Sequence, residues 1–86
     1  MNSKLYVGNL DYTVTDSQLS DHFSQAGTVT EAVVIKDRYS GRSKGFGFVT
    51  YGTNEEAQAA ISMFDGKDFN GRSIVVNEAR PKKEEN

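Results

Sequence analysis

No cysteine occurs in the 86 residues, so neither a disulfide framework nor a thiolate metal site can be built. Tryptophan is absent, and proline and histidine each occur once. The lone imidazole, His22, has no cysteine or carboxylate partner in a ligand-like spacing, and reads as a surface residue beside a helical stripe rather than a catalyst or ligand. No metal or cofactor is expected. No apolar run approaches the ~20 residues that span a bilayer, and the N-terminus lacks a signal-peptide pattern. These two absences lead to the expectation of a soluble, intracellular, cytoplasmic chain that meets no membrane. There is also no basic excess: the formal net charge is −2, which by itself argues against a polyanion binder.

The distribution of charge matters more than its sum. Lys4, Lys36, Arg38, Arg42, Lys44, Arg80, Lys82 and Lys83 fall on or beside expected strands, in a loop or in the tail. Asp16, Asp21, Glu55 and Glu56 fall in expected helices. Helices gathered on one side of a sheet would polarise the molecule.

The length suits one domain with a modest core. Lys4 to Gly8 alternates and is rich in strand formers. Thr15-Asp16-Ser17-Gln18 is a capping box, followed by the stripe Leu19, Phe23, Ala26, with Gly27 placed for a left-handed stop. Val29 to Lys36 is apolar and β-branched, and Asp37 to Ser43 forms a basic connection to a third strand at Lys44 to Tyr51. Thr53-Asn54-Glu55-Glu56 is a second capping box, with Ala57, Ala60, Ile61 and Phe64 behind it and Gly66 as its end. Asn70-Gly71 signals a tight turn, Ile74 to Val76 a last strand, and Pro81 its limit. The domain is therefore expected over 1–81, with 82–86 as a charged, flexible tail. The initiator methionine and short charged end suggest a whole protein.

The order β-α-β-β-α-β is the split βαβ pattern of an α+β, ferredoxin-like sandwich: a four-stranded antiparallel sheet with both helices on one face. The first and third strands lie at its centre. Alternation on the first strand turns Leu5 and Val7 inward and Lys4, Tyr6 and Gly8 outward. In Lys44-Gly45-Phe46-Gly47-Phe48-Val49-Thr50-Tyr51, Lys44, Phe46 and Phe48 point outward. Gly45 and Gly47 point inward, where they would let helix backbones approach. A one-residue slip would bury Lys44 and expose Val49 and Tyr51, so the register is strongly specified. Tyr6, Phe46 and Phe48 then share an uncovered face, which usually marks an interaction surface.

That octamer satisfies every constrained position of the pattern K/R-G-F/Y-G/A-F-V-x-F/Y, a chance match of about 10⁻⁸ per window at average composition. It resembles the RNP1 motif of RNA recognition motifs, and Leu5-Tyr6-Val7-Gly8-Asn9-Leu10 resembles the companion RNP2 hexamer. The resemblance runs from about Lys4 to Pro81. It implies that Tyr6 and Phe48 each stack a base while Phe46 lies against sugars, and that base edges are read near Asn77 and the main chain at Ala79 and Arg80. Ring stacking is worth about 1 to 3 kcal/mol per base and tolerates any sequence. Lys4 and Lys44 can meet phosphate, Ile35 and Val33 extend the face on the second strand, Val75 does so on the fourth, and Arg38 and Arg42 can clasp a strand from the loop. Small stand-alone bacterial proteins and the domains of glycine-rich plant RNA binders share the pattern, which implies an RNA-chaperone-like role.

The expected partner is single-stranded RNA, with single-stranded DNA also compatible, bound by a monomer without catalysis. The alternative is a protein-interaction module whose sheet docks a peptide or helix. Phe23, Phe64, Val49 and Tyr51 read as core. Tyr12 and Phe69 sit in connections and can cap the core edge, and Tyr39 is a loop aromatic of the kind that serves binding. Gly45-x-Gly47 is no nucleotide fingerprint, because Thr50 stands at the third glycine position and no helix follows.

Overall fold

A computed structural model describes residues 3–79. Strand β1 (Lys4–Gly8) leads to helix α1 (Asp16–Phe23), β2 (Val29–Lys36), β3 (Ser43–Tyr51) and α2 (Asn54–Phe64). Two short strands, β4 (Asp68–Phe69) and β5 (Arg72–Ser73), precede β6 (Val75–Glu78). The main sheet runs β2-β3-β1-β6, with every neighbouring pair antiparallel. The fold is α+β and ferredoxin-like, with β1 and β3 in the middle as the split βαβ order requires.

One face of this sheet is closed by the helices. Leu5 and Val7 from β1, Val34 from β2, Val49 and Tyr51 from β3 and Val76 from β6 join Leu19 and Phe23 of α1 and Ala57, Ala60 and Phe64 of α2 in one core. The inward positions of β1 and of the body of β3 are thus apolar, which holds their outward positions in register. Tyr51 is fully buried, and its hydroxyl donates to the Phe23 carbonyl at 2.6 Å, tying the end of β3 to the last turn of α1. Desolvation by burial, reinforced by nearby Glu56, pushes this phenol far above its ordinary pKa.

The first capping box forms as written: Gln18 N donates to the Thr15 hydroxyl at 3.1 Å and Thr15 N donates to Gln18 Oε1 at 3.1 Å. In the second, Glu56 N donates to the Thr53 hydroxyl at 3.2 Å, but the Glu56 carboxylate turns to Thr28 N at 3.0 Å. That amide holds the carboxyl below the usual carboxylate range. The same carboxylate still accepts from the Thr53 hydroxyl at 3.2 Å, so a tertiary donor is added to the local one.

Three sequence expectations are corrected. Gly27 is not the left-handed stop of α1; the helix ends earlier, at Ser24 in right-handed conformation, and Gly27 instead makes room for the Glu56 side chain. Gly66, by contrast, does take φ +78° just after α2. Asn70 and Gly71, at φ 54° and 84°, close a separate β4–β5 hairpin, so Phe69 is a buried strand residue rather than part of a connection. His22 is half-buried and not a surface residue: its ring stacks on Phe69 at 4.1 Å between centroids and 5° between planes, with Phe64 at 4.8 Å. No described helix is long and apolar enough to cross a membrane.

Candidate nucleic-acid interface

The face opposite the helices carries two cross-strand rows. Antiparallel pairing aligns Val33 with Phe48, Phe48 with Tyr6, and Tyr6 with Asn77, so one row crosses all four strands. Gly8 stands between Phe46 and Val75 in the next row. Side chains directly opposite on one face lie within contact range. The rings accordingly form a triangle: Tyr6 to Phe46 is 5.7 Å, Tyr6 to Phe48 is 6.0 Å and Phe46 to Phe48 is 6.1 Å between centroids.

The triangle is not a flat platform. Interplanar angles of 34°, 65° and 90° set the rings partly edge to face, and all three are half-buried by one another. Edge-to-face contact is the arrangement that ring quadrupoles favour, so the cluster is stable without a ligand while each ring keeps exposed surface. Lys4 Nζ sits 5.0 Å from the Phe48 centroid, within cation–π range.

Gly8 is an outward residue that is nonetheless buried, because the Tyr6 ring lies over it. A Cβ there would stand 2.6 Å from the Tyr6 hydroxyl and 2.8 to 2.9 Å from two ring carbons. Its lack of a side chain sets the tilt of Tyr6. Gly45 and Gly47 have a different role from the one expected of them. A Cβ on Gly47 would meet the backbone of Val33 and Val34, and one on Gly45 would meet the Tyr12 ring at 3.0 Å. Neither faces a helix backbone: Gly47 lets β2 approach and Gly45 seats the β1–α1 loop.

Gly45 also takes φ +85°, beside a register shift between β2 and β3. The alternation that places Phe46 and Phe48 therefore stops there, and Lys44 is an exposed cation ahead of the bulge rather than the next member of the ring row. Ile35 is half-buried and Asn77 exposed, both on strands of the open sheet. Arg38 and Arg42 are exposed in a hairpin tip held by Asp37 N to Arg42 O at 2.7 Å and Gly41 N to Asp37 O at 2.8 Å. Among the described residues no side-chain contact joins either arginine to the rings. Arg80 lies outside the described residues, as does the tail expected over 82–86. The acidic Asp16, Asp21, Glu55 and Glu56 all fall in the helices, on the side away from the rings.

Sequence reasoning assigned no site role to Asn9 or Arg72. Arg72 Nη2 donates to Asn9 Oδ1 at 2.8 Å and Asn9 Nδ2 donates to the Ser73 carbonyl at 2.7 Å, beside the end of β1. The available signal was an asparagine directly after a strand, a residue type that tolerates left-handed backbone.

Comparison with known proteins identifies the family and the fold. The family model of the RNA recognition motif matches residues 5–75. The chain belongs to that family. This RNA recognition motif is 56% identical over 77 residues to RNA-binding protein CP29B of Arabidopsis thaliana chloroplasts, covering 90% of this chain and 27% of that protein. It is 49% identical over 80 residues to small RNA-binding protein 11, chloroplastic, of the same plant, covering 93% of this chain and 55% of that protein. It thus spans about a quarter to about half of these relatives. The crystal structure of RNA binding protein PG1 superposes with a TM-score of 0.88 at 43% identity, covering 95% of this chain and 99% of that one. The Sxl-lethal protein, in its complex with RNA, superposes with a TM-score of 0.91 at 28% identity, covering 98% of this chain and 50% of that one.

Proposed function

We propose that this RNA recognition motif binds single-stranded RNA on its open sheet face, by stacking on Tyr6, Phe46 and Phe48, and that it does so without catalysis. The observation that carries the reading is the ring triangle, 5.7 to 6.1 Å on a side, on the one sheet face that no helix covers. Tyr6 and Phe48 share a row with Asn77, whose exposed amide offers both donor and acceptor to a base edge. Lys4, Lys44, Arg38 and Arg42 supply charge for phosphate, and Ile35 adds apolar surface. Stacking is indifferent to base identity, so the binding is sequence-tolerant and suits an RNA-chaperone-like role in a monomer. The organellar names of several relatives are compatible with an intracellular setting.

Two or three stacks, offset by ordering costs, give an affinity near micromolar, about −8 kcal/mol. Few phosphate contacts give a log–log salt slope near −2 for a single strand. Fluorescence anisotropy with short single-stranded RNA tests this directly. The double substitution Phe46→Ala/Phe48→Ala should remove about 2 to 6 kcal/mol and abolish measurable binding while the circular dichroism stays unchanged. Retained affinity would overturn the reading and favour a sheet that docks a peptide or helix. Equal affinity for the matched DNA oligomer would widen the ligand class to single strands in general.

A further inference from the structure

β1 ends at Gly8, in the row between Phe46 and Val75, and the chain leaves the sheet at Asn9 with φ 59°. Left-handed backbone disfavours any side chain and is least unfavourable for asparagine. Here it secures a definite arrangement. Asn9 Nδ2 donates to the Ser73 carbonyl at 2.7 Å and Asn9 Oδ1 accepts from Arg72 Nη2 at 2.8 Å. Arg72 projects from the β4–β5 hairpin, whose turn at Asn70 and Gly71 is itself left-handed at both residues. The guanidinium is therefore held at the end of β1 by two linked local constraints.

This cation is poised rather than spent. It is exposed, and among the described residues its hydrogen bond to Asn9 is its side chain's one polar contact. A guanidinium has five N–H donors in a planar fork, so four remain. The nearest carboxylate on the hairpin ladder, Asp68, pairs across with Ser73 and makes no ion pair with Arg72. The opposite flank of the end of β1 carries the Tyr12 ring, which is 71% exposed over Gly45. Lys4, with its ammonium over Phe48, stands at the other end of β1. Five residues of strand, about 17 Å, separate the two cationic ends.

We propose that the RNA strand leaves the ring face over the end of β1, where Arg72, oriented by Asn9, grips a backbone phosphate. The inference rests on the stacking reading above and extends it in a stated direction. A planar fork matches phosphate oxygens in two-point contact, and fixing it in advance lowers the ordering cost of that contact. Only an oligomer long enough to pass from the rings to the hairpin gains it.

The test compares a fluorescein-labelled uridine tetramer with a nonamer across a salt series. Arg72→Gln should weaken the nonamer roughly fivefold to tenfold and make its log–log slope shallower by about 0.7, while leaving the tetramer unchanged. Arg72→Lys should keep the slope because it keeps the charge. Asn9→Gly should preserve the backbone turn and weaken the nonamer less than Arg72→Gln, and the two substitutions together should match Arg72→Gln alone. Lys67→Gln, the same charge change beyond the end of α2, should alter neither oligomer. The proposal is overturned if wild type binds the nonamer through its rings but Arg72→Gln leaves affinity and slope intact. It is also overturned if Arg72→Gln weakens both oligomers equally, or only as much as Lys67→Gln does. Failure of wild type to bind either oligomer would defeat the stacking reading and this extension together.

Discussion

Replacing Gly8 with alanine should impair ligand stacking while sparing the fold. The added Cβ would fall 2.6 Å from the Tyr6 hydroxyl and 2.8 and 2.9 Å from two ring carbons. Carbon contacts sit comfortably at about 3.5 to 4.0 Å, so the ring must retreat by about 1 Å. The obstruction is the far end of a side chain that points to the open face, so Tyr6 can swing away without disturbing β1. Its swing breaks the 5.7 Å contact with Phe46 and the 6.0 Å contact with Phe48. One misplaced ring should cost about 1 to 3 kcal/mol of stacking, or about fivefold to 150-fold in affinity. Folding stability should stay near wild type, because alanine restricts the unfolded chain by about 0.4 to 1 kcal/mol in its favour and the displaced contacts are worth a similar amount. Anisotropy with an RNA oligomer and a thermal melt followed by circular dichroism measure the two halves. An unchanged affinity would refute the idea that Gly8 sets the ring's working position, and a collapsed melt would refute the claim that only Tyr6 stands in the way.

Gly47→Ala should behave in the opposite way: its Cβ would meet the Val33 carbonyl and the Val34 Cα at 3.0 Å, both backbone, so we expect a loss of about 3 kcal/mol in a denaturant titration, with RNA binding lost only as the fold is lost. Tyr51→Phe removes the 2.6 Å bond to the Phe23 carbonyl, which keeps Ala26 N as a donor at 3.2 Å; urea titration should show a loss of about 1 kcal/mol and no change in RNA affinity. Burial lowers the His22 pKa below its ordinary 6.5, so the folded state resists protonation. Its contribution is complete above that value and is lost as pH falls through the depressed folded value. Melting temperature should therefore fall on acidification through this window in wild type and not in His22→Phe, and parallel curves would refute the assignment.

What could be read from the chain, and what could not, divides by the range of the interaction. The element order, both helix starts and the inward and outward sets on β1 and the body of β3 follow from local rules: capping geometry, a period of two, and an apolar residue at every inward position. Those rules need only neighbours in sequence. The same is true of the three rings, since alternation alone puts Phe46 and Phe48 on one side and Tyr6 on the matching side of β1.

The misreadings arose where a distant group decided the outcome. Glu56 reaches beyond its own helix start because the Thr28 amide, 28 residues away in sequence, comes within range of its carboxylate. His22 became a packing residue because the β4–β5 hairpin delivered Phe69 to its ring. Gly45 and Gly47 answer to β2 and to the β1–α1 loop, and no periodicity within β3 distinguishes those neighbours from a helix. The tilt of Tyr6 over Gly8, and the meeting of Asn9 with Arg72 across 63 positions, likewise exist only once the strands are paired. Residues four apart on one strand know their face from the pleat. Which strand, loop or hairpin stands against them is settled by closure of the whole sheet, and with it the working surface of this RNA recognition motif.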